Sequence, residues 1–212
     1  MLSRIVLASA SPRRLELLTS LGLEVEVRPS GYDEPDDLSI TPLQLAIRHA
    51  HAKALDVAKQ SGPAAGEVIV AADTVVDLNG VALNKPKDAA DAARMLGALS
   101  GREHRVHTAY AIAVPAAHPG YALAEADGLV EESSTTRVRF YRLEAEEIAA
   151  YIASGEPMDK AGAYGIQGRA ASLVESIEGD FYTVMGFPLG RFVRTMRRLG
   201  FAFPSANQTR VT

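Results

Sequence analysis

Two arginines in tandem, Arg13 and Arg14, open a helical run directly after a turn of small residues, Ser9-Ala10-Ser11. The first turn is the positive end of a helix dipole, so a cation there forfeits about 0.3–1 kcal/mol that it would gain at the other end. A bound anion reverses the sign, because free backbone N–H groups and guanidinium forks converge on phosphate oxygens. The same pair also reads as two solvated arginines on an ordinary helix start. Asp73 is the sharpest single acid. It follows the apolar run Val68-Ile69-Val70-Ala71-Ala72, which places a carboxylate beyond a strand's carboxyl end, where open α/β sheets bind ligands. It suits a base, a metal ligand or a turn-initiating aspartate. Lys85 and Lys87, held beside Pro86, can reach a polyphosphate as point charges. From Met158 to Gly168 the chain spaces Gly162, Gly165 and Gly168 three apart, a pattern costly in regular elements and suited to a loop that wraps something. Gln167 within it offers both donor and acceptor, the equipment for reading a base edge or for bracing the loop. Glu34 and Lys53 are unremarkable singly and gain interest only in this company.

Familiar alternatives are missing. There is no G-x-x-x-x-G-K-[ST], no G-x-G-x-x-G after a strand and no H-E-x-x-H. His104 and His107 differ by an odd number within a strand-like run, so they point to opposite faces, and His49 and His51 do not share one helical face. No nucleophile-elbow pattern supports a serine triad.

The elements that must position these residues follow from periodicity. Ile5-Val6-Leu7 reads as a buried strand, after which Ser11 can cap and Pro12 begin a helix with Leu15, Leu18 and Leu21 on one stripe and Gly22 as its stop. Glu24 to Arg28 alternates as a strand, and the acidic stretch Tyr32 to Asp37 reads as a surface loop. A helix from Thr41-Pro42 keeps its spacing to about Gln60, where Ser61-Gly62-Pro63 breaks it. Glu67 to Ala72 is a central strand, and Asn79-Gly80 between apolar residues signals a hairpin within Val75 to Leu83. Asp88 caps a helix to about Leu99. His104 to Val114 and Leu129 to Tyr141 are long strands, and Glu144 to Ala153 is helical. Leu173 to Ile177 and Phe181 to Met185 flank Glu178-Gly179-Asp180 as a second hairpin, and Pro188 opens a last helix to about Leu199. The pattern is mixed α/β, one extended sheet with helices packed on it, forming a single domain over 1–203 and a loose tail over 204–212.

Composition narrows the function. The chain of 212 residues is 47% apolar and 23% charged, ordinary for a globular core. It has no cysteine, which removes disulfides, thiolate metal sites and a cysteine nucleophile together. A formal charge of −4 lacks the basic footprint that nucleic acid or an anionic membrane would attract. No run reaches membrane-span length, and MLSRIVLASA is too short an apolar segment for a secretory signal. The expectation is a soluble, cytoplasmic protein with no nucleic-acid or membrane partner.

Taken together and in order, SASPRR, AADTVV, NKPKD, SGREHRVHTA, EPMDKAGAYGIQG and VESIEGDFYTVMGFP resemble the blocks of the Maf family of nucleoside triphosphate pyrophosphatases over about Arg4 to Leu199. The resemblance implies an elongated α/β fold of the Maf/ITPase kind, with two lobes around a nucleotide cleft, and commonly a homodimer. It implies hydrolysis of a nucleoside triphosphate to monophosphate and pyrophosphate with a divalent metal, Mg²⁺ or Mn²⁺, held by Asp73 and Glu34. Asp73 matches the catalytic aspartate. Arg13, Thr74 and Gln167 match the arginine, threonine and glutamine of the pyrimidine branch, where the 7-methyl-GTP branch carries tryptophan and two glutamates. dTTP and UTP are therefore the expected substrates, with Ser11, Arg14, Lys53, Lys85 and Lys160 as phosphate contacts. A non-catalytic nucleotide sensor linked to septum formation, and a house-cleaning hydrolase of purines such as ITP, are the competing readings.

Overall fold

Ten consecutive residues, Ile69–Leu78, form one strand, β3, at the centre of the fold's sheet. The computed structural model describes residues 2, 4–61 and 67–203. The elements before β3 are β1 (Arg4–Leu7), α1 (Pro12–Thr19), β2 (Glu24–Val27) and α2 (Pro42–Ser61). After it come β4 (Val81–Leu83), α3 (Ala89–Leu99), β5 (Glu103–Ala113), β6 (Leu129–Phe140), α4 (Ala145–Ala153), β7 (Val174–Glu178), α5 (Phe181–Met185) and α6 (Leu189–Arg198). The strands make a mixed seven-stranded sheet in the order β2-β1-β3-β5-β6-β7, with β4 paired to β3. The break read at Ser61-Gly62-Pro63 and the tail over 204–212 fall at or outside the described residues.

Strand alternation divides the core in two. Even-numbered β3 residues Val70, Ala72 and Val76 join the larger apolar cluster, with Tyr110, Phe140, Phe187 and Phe192 at its centre. Odd-numbered Ile69, Ala71 and Val75 meet α2 through Leu45, Ala46, Ala50, Ala54 and Val57. Three alanines four residues apart give α2 a flat stripe that lies close against the sheet. Asp73, being odd, emerges on the α2 side, and Thr74 on the other.

One edge of β3 is interrupted. Parallel pairing with β1 covers only Val6↔Ile69 and Leu7↔Val70, and antiparallel pairing with β4 begins at Val76↔Leu83. Over residues 71–75 that edge has no neighbouring strand among the described residues, whereas β5 pairs along the other edge from Ile69 to Asp77. Rungs from Val6 N–H to Val68 and from Ala8 N–H to Val70 show that even-numbered β3 residues turn their backbone groups toward β1. Ala72 and Thr74 consequently face the gap with their amides and carbonyls.

Two local expectations need correction. Asp73 does not follow a strand; it lies inside β3, because the ladder Asp73↔Ala109 and Thr74↔Thr108 to β5 carries the pleat through both polar residues. It lies instead beyond the carboxyl end of the neighbouring strand β1. Phe181 to Met185 is not the return strand of a hairpin but the helix α5. Asp180 accepts a hydrogen bond from Thr183 N–H and caps that helix, while β7 pairs with β6. The Asn79-Gly80 hairpin and the Asp88 cap stand as read, with φ of 55° and 85° in the turn and Asp88 accepting from Asp91 N–H.

Candidate active site

The gap in the sheet opens into a cleft of about 620 Å³. Its walls are the Ser9–Arg14 turn and helix start, the loop before α2, the middle of β3, Lys85 after β4, and the Asp159–Gln167 loop. Every residue singled out in the sequence for the site lines it: Ser11, Arg13, Arg14, Glu34, Lys53, Asp73, Thr74, Lys85, Lys160 and Gln167.

On the α2 side Lys53 Nζ sits 2.7 Å from Asp73 Oδ1 and 2.7 Å from Glu34 Oε1. Lys53 and Asp73 are buried, at 7% and 6% exposure. The ammonium compensates two carboxylates that would otherwise repel each other, the buried Asp73 and the half-exposed Glu34. Burial disfavours the Glu34 carboxylate, yet the Lys53 hydrogen bond and charge, with Lys85 and His49 behind them, hold its pKa below the ordinary value. Lys53, expected as a phosphate contact, is paired with both carboxylates here and also lines the cleft.

Glu34 reaches this position because the acidic loop, a surface loop as read, is clamped along α2. Arg48, His49, Lys53 and Asp56 form one face of α2. Arg48 pairs with Asp37 at 2.6 Å, His49 Nδ1 lies 3.3 Å from the Tyr32 hydroxyl, and Asp56 accepts from Ser30 Oγ and Gly31 N–H at 2.7 and 2.8 Å. Asn84 donates to Asp36 from the far side of the cleft.

The two arginines diverge. Arg14 turns inward: Nε donates to Gly186 O at 3.0 Å, Nη1 to Ser9 Oγ at 3.0 Å and Nη2 to Thr74 Oγ1 at 3.2 Å. Burial lowers the Arg14 pKa, an effect that Asp73 and Glu34 oppose. Arg13 lies 3.3 Å from Asp159, which also holds Lys160 Nζ at 2.5 Å. Ser11 occupies the cap position of α1 but makes no capping bond through its side chain; its N–H donates to Ser9 Oγ at 3.2 Å. Thr74 Oγ1 touches Thr108 Oγ1 at 2.9 Å, and Thr108 Oγ1 donates to Thr183 O at 2.7 Å.

Gln167 is exposed at the cleft wall. The glycines around it serve the loop's own folding. Gly162, at φ 66°, leaves no room for a Cβ beside Val76, and a Cβ on Gly168 would come within 2.9 Å of Glu156. Behind the loop, buried Tyr164 bonds His104 Nε2 at 2.6 Å and packs edge-on against Phe140.

Residues not anticipated from the sequence are Thr108, Asp159, Gly186 and the Tyr32–His49 pair. Asp159 was visible as the neighbour of Lys160, whereas Thr108 and Gly186 meet Thr74 and Arg14 only through long-range packing.

Two carboxylates that converge on one cationic position suit Mg²⁺ or Mn²⁺, which typically take one or two protein carboxylates and complete their shell with substrate phosphates and water. Among the described residues no group of three or more histidine, aspartate or glutamate side chains is placed to hold a metal ion.

The family description "Maf-like protein" matches residues 4–199. The chain belongs to the Maf-like family. A relative from Geotalea uraniireducens, named a dTTP/UTP pyrophosphatase, is 48% identical over 93% of this chain and 96% of its own length. A human protein, named a probable bifunctional dTTP/UTP pyrophosphatase/methyltransferase protein, is 46% identical over 92% of this chain and 32% of its own length. A solved dITP/XTP pyrophosphatase from Mycobacterium abscessus aligns with a TM-score of 0.41 and 20% identity over 67% of this chain and 76% of its own. No helix among the described residues of the Maf-like chain is long and apolar enough to cross a membrane.

Proposed function

We propose that the nucleoside triphosphate pyrophosphatase activity of this Maf-like chain is directed at pyrimidines, dTTP and UTP, which it converts to the monophosphate and pyrophosphate. The observation that carries this reading is that Arg13, Thr74 and Gln167 line the same cleft as the Lys53–Asp73–Glu34 cluster. Relatives at 46–48% identity carry dTTP/UTP pyrophosphatase as their name. The chain through residue 203 acts as one bilobed domain around that cleft.

Adjacent residues of β3 divide the work. Thr74 faces the base on one side of the strand, and Asp73 faces the reacting phosphate on the other. Asp73 takes the proton of the water that attacks the α-phosphorus, and Lys53, 2.7 Å away, orients its carboxylate. Ser11 and the N–H groups at the start of α1 meet the phosphates, with Arg14, Lys85 and Lys160 balancing charge that grows on the leaving pyrophosphate. Asp73 and Glu34 are the residues that would hold a divalent cation, which supplies charge neutralisation on the polyphosphate when bound. Gln167 reads the base edge with its amide.

The test is pyrophosphate release from dTTP, UTP, CTP, ITP and 7-methyl-GTP with Mg²⁺ and with Mn²⁺. Highest kcat/KM on dTTP and UTP is expected. Highest values on ITP would move the chain to purine house-cleaning, and binding without turnover would make it a sensor.

A further inference from the structure

Thr74, Thr108 and Thr183 form a hydrogen-bond chain whose direction is fixed at both ends. At one end stands the Thr183 carbonyl, which only accepts; it already receives Gly186 N–H at 3.1 Å and takes Thr108 Oγ1 at 2.7 Å. At the other stands the Arg14 guanidinium, which only donates, at 3.2 Å from Thr74 Oγ1. Each hydroxyl between them carries one hydrogen. Thr108 spends its hydrogen on Thr183 O, so the 2.9 Å contact between the two hydroxyls requires Thr74 to donate and Thr108 to accept. Thr74 therefore has no hydrogen left for a ligand. Of its two lone pairs one receives Arg14, and what it offers the cleft is an acceptor. Thr108 is fully buried, and β5 sets it directly opposite Thr74 in the ladder, on the same face of the sheet. The side chains of such a pair approach closely and hold a fixed relative geometry.

We propose that Thr108 is a specificity-positioning residue, holding Thr74 as an obligate acceptor for the imino N3–H of uracil and thymine. Cytosine carries a lone pair at N3, and in the same pose it would meet the Thr74 oxygen lone pair to lone pair. The inference rests on the pyrimidine reading of the cleft and adds how dTTP and UTP are told from CTP there. A Thr108 that only tied β5 to α5 would affect all substrates alike.

The experiment compares kcat/KM for UTP, CTP and 3-deaza-UTP, which carries C–H in place of N3–H and, as a 4-hydroxy-2-pyridone, a hydroxyl in place of the O4 carbonyl. In the wild-type enzyme UTP is expected to exceed both others by about tenfold or more, as for a site built to pair a polar hydrogen. Thr108→Val frees the Thr74 hydrogen to turn toward the ligand, so the UTP to CTP ratio should fall by about tenfold, and Thr108→Ser should restore it. An unchanged ratio in Thr108→Val, with UTP still turned over, overturns the inference. If that variant does not fold, Thr108→Cys, whose thiol donates and accepts only weakly, takes its place: a fall in the UTP to CTP ratio supports the inference and an unchanged ratio overturns it, as does equal use of UTP and 3-deaza-UTP by the wild-type enzyme. Failure of the pyrimidine reading looks different, because the wild-type enzyme would then prefer purine triphosphates from the outset, and the inference falls with it.

Discussion

Lys53 Nζ and Asp73 Oδ1 lie 2.7 Å apart, with both side chains more than nine-tenths buried. An ion pair so placed contributes little beyond a well-packed apolar pair, but removing one member strands a buried charge. Lys53→Met should destabilise the metal-free protein by about 3–5 kcal/mol, read from the shift in urea midpoint. Asp73→Asn should cost far less, because Lys53 keeps Glu34 and the amide oxygen can still accept. The same Asp73→Asn variant should lose about 10³-fold in pyrophosphate release, the scale of a lost general base. A folded Asp73→Asn enzyme with near wild-type turnover would contradict the role given to Asp73.

Arg14 spreads three donors over Gly186 O, Ser9 Oγ and Thr74 Oγ1, a pattern that needs a planar fork. Lysine keeps the charge and loses the geometry. Arg14→Lys should therefore reduce kcat/KM on UTP by about tenfold to a hundredfold, equivalent to about 1.4–2.8 kcal/mol, while net charge is unchanged. Wild-type kinetics in that variant would show that charge alone suffices.

Gln167 donates and accepts, whereas a glutamate at that position only accepts and adds a negative charge near the polyphosphate. Gln167→Glu should weaken dTTP and UTP use by about tenfold or more, with the melting temperature unmoved because the residue is exposed. Unchanged kinetics on both nucleotides would remove Gln167 from base reading.

His104 predicts an acid-sensitive window. Burial pushes its pKa from 6.5 down to about 4, so the folded protein holds the ring neutral while the unfolded chain protonates below 6.5. Its contribution to stability is complete above about pH 6.5 and is lost as the pH falls toward 4. Between pH 7 and pH 4.5 the loss should be about 2–3 kcal/mol. His104→Gln, which keeps a polar partner for Tyr164 and does not titrate, should flatten urea stability over that interval. Asp37, held at about 2 by Ser39 and Arg48, acts in a lower window, from its ordinary 3.8 downward. An equally steep profile in His104→Gln would assign the dependence to other groups.

Local physics carried most of the fold. The Asn79-Gly80 turn, the Asp88 cap and the long β5 and β6 strands were legible because each depends on residues within a few positions. Asp73 and Phe181 to Met185 were misplaced for the opposite reason: the ladder to β5 overrode a turn-like aspartate, and the Asp180 cap outweighed β-prone side chains. Of the cleft's lining, the Ser9–Arg14 turn and Asp73 stand out by residue chemistry, while Glu34 and Lys53 stand out only beside the other motifs and the family resemblance. The clamp of the acidic loop on α2 was invisible, since pairs such as Ser30–Asp56 and Asn84–Asp36 span 26 and 48 residues. The Thr74–Thr108–Thr183 chain needs strand register and the end of α5 at once, neither of which a pattern of single residues specifies.

The central claim is that water, deprotonated at Asp73, attacks the α-phosphorus of a pyrimidine nucleoside triphosphate. Hydrolysis of UTP in ¹⁸O-labelled water, followed by mass spectrometry of both products, tests it directly. One labelled oxygen in UMP and none in the released pyrophosphate is the expected result. Label in the pyrophosphate, or release of orthophosphate in place of pyrophosphate, would contradict it.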